Sequence, residues 1–429
     1  MPEPLPGEYY YRATSVADAY PPLRGTTDCA VCIIGAGFAG LGTAVSLMER
    51  GRRDVVLLEA DTLGFGASGR NGGFVFGGFS LGERSLVDAV GIDSARKLYR
   101  LTQDAVTLIR RRIKRYGIAC DAREEGVYLA NWFNDERILE RQQRFMADSL
   151  GVEWQRIGRL ELAGRLLTAR YSGALFEPGA FHFHPLKYAR GLARALAAGG
   201  GTLHEHSGAI RIAPDGKGWR VSTAAGAVTA REVVVCCGGY LERLSPRLAG
   251  ATLPIATYVM VTEALGARMG AILRTGAAVY DTRFAFDYYR PLADTRLLWG
   301  GRISVRERSA ADVARLLYRD MLRVYPQLAG VKVDYAWSGR MSYARHKMPQ
   351  LGRLPDGQWH ATGFGGHGVG PTTLGGEVLA EALCGDGTAL ARFAPWTLAS
   401  TGGPAGLFAA QLTYWYYALR DSLRERLGK

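Results

Sequence analysis

The apolar residues of this chain follow two spacings, one typical of buried strands and one typical of helices packed on a sheet. Residues 30–34 form a continuous apolar run, and a second run at 55–58 is followed directly by Glu59. Between these runs, apolar residues recur at helical spacing: Leu41, Ala44, Val45, Leu47 and Met48. Continuous apolar runs are typical of parallel strands that are covered on both faces. The order strand, helix, strand therefore predicts a βαβ unit and an α/β fold.

Later segments predict further strands and helices. Residues 94–116 have an apolar helical face, formed by Leu98, Leu101, Val106, Ile109 and Ile113. Residues 209–235 predict a small antiparallel sheet, and residues 256–265 and 286–304 predict strands around a turn at Ala293 and Asp294. A late helix would bury Leu374, Val378, Leu379 and Leu383.

Length, charge and hydropathy limit the classes of protein that this chain can be. Its 429 residues suggest two domains, or one large domain with an insertion. No window holds about 18 uninterrupted apolar residues, so we expect no transmembrane helix, and the N-terminus lacks the features of a secretory signal. The formal charge is +13, but the densest basic run, 110–115, lies opposite an apolar helical face. Because that is typical of a solvated surface, we expect no nucleic-acid partner.

The cysteines and histidines do not follow the patterns of a disulfide framework or a metal site. Four of the six cysteines lie in apolar runs and are interpreted as small buried residues: Cys29, Cys32, Cys236 and Cys237. Two His-x-His pairs, at 182–184 and 204–206, have a spacing that could place two ligands on one strand face, but neither has a third ligand nearby. We therefore expect no metal and a reducing, cytoplasmic location.

A glycine motif follows the first apolar run. Gly35, Gly37 and Gly40 have the spacing of a dinucleotide-binding turn. The first permits the turn, the second lets a pyrophosphate approach the backbone, and the third lets the helix pack close to the strand. The pyrophosphate would then lie at the N-terminus of the helix, where unpaired N–H groups favour an anion. Glu59 is placed to accept from the hydroxyls of an adenosine ribose, which disfavours NADP but does not separate FAD from NAD.

Residues 64–80 favour FAD over NAD. This segment is a glycine-rich loop that carries Ser68, Arg70 and Asn71, whereas an NAD enzyme normally continues with alternating strands and helices. An extended loop of small residues with a few hydrogen-bonding groups suits a long, bent cofactor. The phenylalanines of the loop make it too apolar to be a flexible surface loop.

With these motifs the chain resembles the D-amino-acid-oxidase superfamily of FAD-dependent amine and amino-acid oxidases, in particular its gamma-glutamylputrescine oxidase-like branch. The resemblance rests on the first glycine motif, on GASGRNGG at 66–73, on the strand at 231–240 and on GFGGHGVGPTTLGGEVLAEAL at 363–383. It implies a Rossmann-like FAD-binding domain of the glutathione-reductase type, formed by residues 1–90, 181–250 and 336–429. It also implies an α+β substrate-binding domain on an antiparallel sheet, formed by residues 91–180 and 251–335.

The motifs and the resemblance together predict which residues bind FAD, with Ile210 against the adenine ring. Relatives similar to sarcosine oxidase tether flavin through a cysteine, and no cysteine occurs between 238 and 383 here. The histidine that tethers flavin in relatives similar to dimethylglycine dehydrogenase is also missing, so we predict non-covalent FAD. The predicted FAD-binding residues are Gly35, Gly37, Phe38, Ala39, Gly40, Glu59, Ala60, Gly66, Ala67, Ser68, Arg70, Asn71, Gly72, Gly73, Ile210, Cys237, Gly238, Gly365, Gly366, His367, Gly368 and Val369.

The late glycine stretch, GFGGHGVGPTT at 363–373, predicts a second anion-binding turn before a helix, with Thr372 or Thr373 as its cap. Because the first turn already binds the phosphates, we expect this one to face the N1–C2=O edge of the flavin, where negative charge develops during amine oxidation. The resemblance supports this placement. His367 is then expected to pack near the flavin and donate to an oxygen, and a direct catalytic role remains the alternative.

The segment 337–353 bears on the substrate. In relatives similar to glycine oxidase, a W-x-G-x-R pattern places an arginine on the substrate carboxylate, but counting from Trp337 that position is Met341. Arg340 is offset by one residue, which on a strand turns the side chain to the other face. This departure favours an amine without an α-carboxylate. If the substrate were instead an amino acid, its carboxylate would have to reach Arg340, Arg302 or Arg290.

These observations predict an FAD-dependent oxidation of a primary or secondary amine to an imine, by hydride transfer to flavin N5, followed by hydrolysis. Either O2 or a membrane quinone could accept the electrons, and the resemblance favours O2. The alternatives are an oxidase of N-alkyl or secondary amino acids and a flavin-loaded binding protein without turnover. The candidate catalytic residues are His367, Tyr258, Tyr289 and Arg340, and the other aromatic candidates for the pocket are Tyr288, Trp299 and Trp337.

Residues 406–429 predict an amphipathic C-terminal helix with a Trp-Tyr-Tyr cluster and a basic end. Such a helix could dock on its own chain, form part of a homodimer or lie on a membrane surface. Docking or dimerisation is the favoured interpretation.

Overall fold

The computed structural model describes residues 8–14 and 19–428. The first residues of the predicted FAD-binding domain lie outside this part of the chain. The last residue of the predicted C-terminal helix lies outside it as well. The strands of the described residues are β1 (Gly25–Ile34), β2 (Val55–Leu58), β3 (Phe74–Val75), β4 (Val127–Ala130), β5 (Gln155–Gly158), β6 (Gly173–Glu177), β7 (Phe181–His182), β8 (Thr202–His204), β9 (Arg211–Asp215), β10 (Gly218–Ser222), β11 (Gly226–Val235), β12 (Thr252–Thr262), β13 (Ala278–Asp281), β14 (Asp287–Pro291), β15 (Leu297–Ser304), β16 (Val333–Ala344), β17 (Gln350–Arg353) and β18 (Trp359–Thr362).

In chain order, most of the helices lie between strands of the two large sheets. They are α1 (Tyr9–Arg12), α2 (Phe38–Glu49), α3 (Ala67–Arg70), α4 (Glu83–Val90), α5 (Ile92–Arg115), α6 (Arg137–Phe145), α7 (Arg159–Leu166), α8 (Pro185–Ala198), α9 (Pro246–Gly250), α10 (Ala310–Val324), α11 (Val369–Leu383), α12 (Thr388–Ala391) and α13 (Gly403–Arg426).

The first large sheet has parallel strands in the order β18-β11-β1-β2-β8, with β17 antiparallel at one edge. Strands β9 and β10 continue antiparallel from β11, where the sequence predicts a small sheet. Helices α2, α5, α8 and α11 share one core with Val31 and Ile33 of β1. Cys32 and Ile34, which alternate with them, belong to a core on the other face. This arrangement confirms the predicted Rossmann-like α/β domain.

Helices α2 and α11 cross where both contain glycine. A Cβ on Gly376 of α11 would lie 2.6 Å from the backbone N of Thr43 in α2, so only glycine allows the crossing. Each helix follows one of the two glycine motifs, and both begin at the same cavity. The two motifs are therefore parts of one site.

The second large sheet has the order β16-β12-β15-β14-β13-β4-β6-β5. All neighbours are antiparallel except β4 and β13, which run parallel, so the predicted antiparallel sheet is mixed at that one pair. Strands β14 and β15 flank the predicted turn at Ala293 and Asp294. The predicted domain boundary at residue 336 falls inside β16, which pairs along its length with β12 of this sheet.

The C-terminal helix α13 lies against the second sheet. The Gln411 side chain accepts a hydrogen bond from the backbone N–H of Val305 at 3.2 Å, and Asp421 accepts from that of Phe284 at 2.7 Å. One face of α13 therefore docks on its own chain, next to elements of the predicted substrate-binding domain. Within 8–14 and 19–428, no helix is long and apolar enough to cross a bilayer.

Candidate active site

A cavity of about 980 Å³ runs from the carboxyl end of β1 to the second sheet. This volume is typical of a site for a cofactor or small molecule. All of the predicted FAD-binding residues line it except Gly40. The carboxyl ends of parallel strands are where this class of fold places its ligands.

The first glycine motif forms one end of the cavity. Gly35 has φ +104°, and a Cβ on it would lie 2.7 Å from the carbonyl oxygen of Cys236. A Cβ on Gly37 would lie 2.9 Å from Ser68 Oγ, and one on Gly40 would overlap the carbonyl oxygen of Gly35. Gly40 therefore packs helix against strand, while Gly35 and Gly37 leave the start of α2 open to the cavity. An anionic pyrophosphate fits this position.

Glu59 lies beside this turn, at the end of β2. One carboxylate oxygen accepts from the N–H of Ala36 at 2.7 Å, and the other from that of Asp61 at 3.1 Å. Burial raises the pKa of Glu59, and these N–H donors oppose that rise. Glu59 thus orients the glycine turn, a role that the sequence did not predict, and each oxygen retains a lone pair for a ribose hydroxyl.

The loop at 66–73 is held by its own side chains and by the second sheet. Asn71 Oδ1 accepts from Gly73 N–H at 2.7 Å, and Asn71 Nδ2 donates to the carbonyl of Ser68 at 2.8 Å. Trp337 Nε1 donates to the carbonyl of Arg70 at 3.0 Å. Trp337, predicted as a pocket aromatic, therefore braces this loop and does not line the cavity.

The part of the cavity beside the first glycine motif also suits an adenine ring. Ile210 is 67% exposed, and its N–H donates to the carbonyl of Ser222 at 2.8 Å. Cys237 also lines this end, one residue beyond Cys236 and after β11 has ended. Burial raises the pKa of the Cys237 thiol, so it is protonated and behaves as an apolar group.

The late glycine stretch faces the cavity from the start of α11. Gly365 has φ +67°, and a Cβ on Gly366 would lie 2.7 Å from the hydroxyl of Tyr343. Helix α11 begins at Val369 with Gly368, which has no side chain, at its N-cap. The expectation that Thr372 or Thr373 caps this helix is wrong. Both hydroxyls donate to carbonyls one turn back, because the helix begins earlier than the apolar spacing indicates.

His367 lies in this stretch, at the cavity wall. Its backbone N–H donates to Ser80 Oγ at 2.9 Å, and its ring meets Phe76 edge-on at 4.9 Å between centroids. Burial lowers the pKa of His367 to about 4, so the ring is neutral near pH 7. A neutral ring packed on an aromatic residue fits the predicted packing role.

The end of the cavity next to the second sheet is here called the substrate end, and aromatic side chains form its walls. They are Phe74, Phe76, Tyr280, Phe284, Phe286 and Tyr288. Phe76 and Tyr280 stack in parallel at 5.6 Å. This apolar wall excludes water, and its ring faces can attract a cation.

Two of the candidate catalytic residues lie away from the cavity. Tyr289 stacks on Trp299 at 4.5 Å in the core under α10, and Tyr258 shares that core and donates to the carbonyl of Arg306 at 2.6 Å. Their neighbours Tyr288 and Thr257 line the cavity instead. Adjacent strand residues face opposite sides of a sheet, and the sequence alone did not say which side faced the site.

Two arginines of the cavity wall, Arg340 and Arg302, are paired with carboxylates. Arg340 makes two hydrogen bonds of 3.0 Å to Glu307, and both side chains are 42% exposed. Arg302 binds both oxygens of buried Asp320 at 2.7 and 2.8 Å. Arg302 is the extra residue of a β-bulge in β15, with φ +60°.

Met341 occupies the position beside the late glycine turn. Its sulfur would lie 3.9 Å from a Cβ on Gly366. Arg283, on the same wall as Phe284, binds Asp281 at 2.6 Å and Asp287 at 2.7 Å. Arg290 lies outside the cavity and donates to the carbonyl of Phe183 at 2.8 Å. Both side chains that a Cβ on Gly366 would approach, the Tyr343 hydroxyl and the Met341 thioether, are thus uncharged.

Helix α13 supplies a wall residue that the sequence did not predict. Tyr414 lines the cavity between Arg302 and Phe284 in the fold, although it lies more than 100 residues later in the chain. Its neighbours on the same helix are exposed or face the second sheet. The sequence could have indicated Tyr414 only if it had shown that one position of an otherwise exposed aromatic helix faces inward.

The cavity as a whole fits FAD: two glycine turns that begin helices, a carboxylate at the ribose position and an apolar adenine end. Among the residues that the structure describes, no group of three or more His, Cys, Asp and Glu side chains could hold a metal. His182, one of the spaced histidines, instead contacts the carbonyl of Gly276 at 2.7 Å.

Known proteins agree with this geometry. The profile of the DAO family, described as FAD dependent oxidoreductase, matches residues 30–382. Gamma-glutamylputrescine oxidoreductase of Escherichia coli is 37% identical over 96% of this chain and 98% of its own. Probable oxidoreductase OrdL of Haemophilus influenzae is 32% identical over 97% of both chains.

A solved structure shows the same fold. Glycine oxidase from Geobacillus kaustophilus superposes with a TM-score of 0.72 at 23% identity, and the match covers 87% of this chain and 98% of that one. The family match and the full-length relatives agree with the cofactor that the cavity fits. The chain therefore belongs to the DAO family of FAD-dependent oxidoreductases and is an FAD enzyme that oxidises amines.

Proposed function

We propose that this enzyme oxidises an amine that carries no carboxylate on the reacting carbon, such as the free amino end of an N-acylated diamine. The observation that carries the proposal is Met341, an uncharged side chain beside the late glycine turn. A carboxylate on the reacting carbon would need a cation there, because an unpaired buried charge is costly. The gamma-glutamylputrescine in the name of the relative from Escherichia coli is a compound of this class.

The pairing of the wall arginines supports the same substrate class. Arg340 already forms a fork with Glu307, and Arg302 forms one with Asp320. Recruiting Arg302 to a substrate carboxylate would break two charge-assisted hydrogen bonds to buried Asp320. An acyl group remote from the reacting amine avoids that cost.

The residues of the cavity would prepare the amine for oxidation. Aromatic walls that include Tyr280 and Phe286 exclude water and so favour the neutral amine over the ammonium ion. Bound FAD supplies the acceptor, at N5, for the hydride that leaves the carbon next to the nitrogen. Backbone N–H groups at the start of α11 would stabilise the negative charge that develops at the cofactor. No side-chain base is required, in keeping with a neutral His367 that packs on Phe76.

The proposal also covers the flavin linkage, the fate of the imine, the electron acceptor and the location of the enzyme. We infer non-covalent FAD, hydrolysis of the imine product by water, and O2 as the electron acceptor, giving H2O2. We also infer a cytoplasmic location, because all six cysteines are free. Acid precipitation tests the flavin linkage: non-covalent FAD remains in the supernatant.

The decisive experiment is an anaerobic titration of the flavin band. We expect gamma-glutamylputrescine to bleach it and N-methyl amino acids to leave it yellow. Bleaching by N-methyl amino acids alone would contradict the proposal. A second measurement, H2O2 formation in air compared with reduction of a soluble quinone, then identifies the acceptor.

An oxidase of N-alkyl amino acids is the second candidate. It is favoured by one observation: Arg340 lines the cavity, and its pair with Glu307 is solvent-accessible and therefore easily exchanged. In that case Arg340→Gln would abolish bleaching by amino acids. A flavin-loaded binding protein is not retained, because membership of the family establishes an enzyme.

A further inference from the structure

Helix α13 has a second face that the second sheet does not cover. Its apolar side chains, with that of the residue after the helix, recur every three or four positions and are 46–68% exposed: Phe408, Leu412, Trp415, Tyr416, Leu419, Leu423 and Leu427. That spacing places them on one side of the helix, here called the α13 stripe. A contiguous exposed apolar patch of this kind marks an interaction surface.

The charges beside the α13 stripe are positive. The two acids of the helix, Asp421 and Glu425, both face inward: Asp421 accepts from Phe284 N–H, and Glu425 pairs with Arg323 at 2.7 Å. Arg420 and Arg426 are exposed. The outer face of α13 therefore carries apolar and basic side chains, and both carboxylates of the helix are engaged on its inner face.

The start of α6 adds further exposed arginines next to the end of α13. Arg424 of α13 binds Asp135 at 3.2 Å, and the same carboxylate is shared by Arg137 at 2.9 Å and Arg141 at 4.0 Å. Three guanidinium groups thus surround one carboxylate. The side chains of Arg137 and Arg141 are 76% and 64% exposed, and the exposed carboxylates of Glu136 and Glu140 lie beside them.

We propose that the α13 stripe binds the surface of an anionic lipid bilayer, with the helix lying in the plane of the headgroups. A helix of 24 residues is about 36 Å long. Trp415 and Tyr416 are residue types that concentrate at the membrane interface. Apolar burial combined with arginine contacts to lipid phosphates is how interfacial helices bind. The proposal does not depend on which amine the enzyme oxidises.

A second copy of the chain fits this surface less well. It would have to place carboxylates opposite Arg420 and Arg426, and the two acids of its own α13 are already occupied on the inner face. An anionic lipid surface supplies negative groups at every position along the helix. The formal charge of +13 favours the same partner.

Vesicle flotation of the FAD-loaded, full-length enzyme tests the proposal. We expect binding to vesicles of phosphatidylcholine and phosphatidylglycerol in equal parts, and at least about tenfold weaker binding to pure phosphatidylcholine. The double variant Trp415→Glu, Leu419→Glu should lose at least about tenfold in binding to the mixed vesicles. Leu160→Glu, which changes a leucine of α7 that is 90% exposed, is the matched control and should bind as the parent does.

Flavin content, measured for every variant, shows that the fold is retained. Light scattering after size exclusion measures the oligomeric state in parallel. A dimer that the double variant dissociates, without vesicle binding by the parent, would overturn the proposal in favour of a second copy. Absence of vesicle binding in a monomer, or equal binding by the double variant, would overturn it as well.

Discussion

Asp421 Oδ2 accepts a hydrogen bond from the backbone N–H of Phe284 at 2.7 Å and so joins the last helix to the wall of the cavity. Phe284 follows β13, and its ring stacks on Tyr417 with centroids 4.4 Å apart. Tyr414, one turn earlier in α13, lines the cavity itself. The C-terminal helix therefore both forms and positions the substrate end.

We expect Asp421→Ala to weaken amine binding about threefold to tenfold and to leave the limiting rate of flavin reduction within about twofold. Loss of a buried acceptor leaves the Phe284 N–H unpaired, which costs about 1–3 kcal/mol, part of which the loop recovers by moving. Anaerobic rapid mixing separates the two quantities. Asp421→Asn, which keeps an acceptor oxygen, is the control. Equal binding in all three proteins would show that α13 does not position this wall.

Gly37→Ala should yield a folded protein that retains little FAD. The added Cβ would lie 2.9 Å from Ser68 Oγ, where the backbone must approach the pyrophosphate, so we expect at least about a tenfold loss of affinity. The ratio of flavin to protein absorbance measures it. The control is Gly164→Ala in α7, where a Cβ meets no atom within 4 Å. Full FAD content in Gly37→Ala would remove this turn from the cofactor site.

Met341→Arg should change the substrate preference. A guanidinium beside the late glycine turn can bind a carboxylate and repels a cationic amine. We expect the rate of flavin reduction by the amine to fall by about tenfold or more, and reduction by N-methyl amino acids to become measurable. Met341→Leu conserves the volume and should behave as the parent does. A variant Met341→Arg that retained full amine activity would contradict the role given to this position.

His367→Asn should not change the shape of the pH profile of flavin reduction between pH 6 and 9. Burial holds the pKa of His367 at about 4, so the ring stays neutral throughout this range. Loss of a limb of the profile in the variant would instead assign His367 a proton-transfer role.

The same depressed pKa predicts how this residue affects stability. An unfolded histidine titrates near pH 6.5, so between about pH 6.5 and 4 the unfolded chain binds more protons than the folded one. The contribution of His367 to stability therefore decreases as the pH falls through this window. Chemical unfolding of the parent and His367→Asn should differ in slope by up to about 1.4 kcal/mol per pH unit there. The slopes should coincide above pH 7.

Local backbone requirements made the cofactor end predictable. Gly35 and Gly365 have positive φ, and a Cβ on Gly37 or Gly366 would meet a neighbouring side chain, so the glycines had to appear in the sequence. The apolar run of β1 and the helical spacing after it were equally local. These features were sufficient to predict a dinucleotide-binding βαβ unit, and the loop at 64–80 with the family resemblance indicated FAD as its cofactor.

The substrate end was less predictable because its residues come from strands and a helix that are distant in the chain. The alternation of a strand shows that Tyr288 and Tyr289 face opposite sides, but the side that meets the cavity depends on what packs behind the sheet. Here α10 covers Tyr289 and Tyr258. The sequence likewise gave no reason for Arg302 and Asp320 to pair.

The amino-acid sequence by itself therefore determined the two glycine turns, the βαβ unit and the FAD that they hold, because each depends on conformations and spacings within a few dozen residues. The tertiary structure decided which side chains line the cavity, that Arg302 and Arg340 are paired with carboxylates, and that α13 turns Tyr414 inward and its apolar stripe outward. Those outcomes depend on contacts between segments that are separate in the chain, from the 18 positions between Arg302 and Asp320 to the 137 between Phe284 and Asp421, and local patterns carry no record of them.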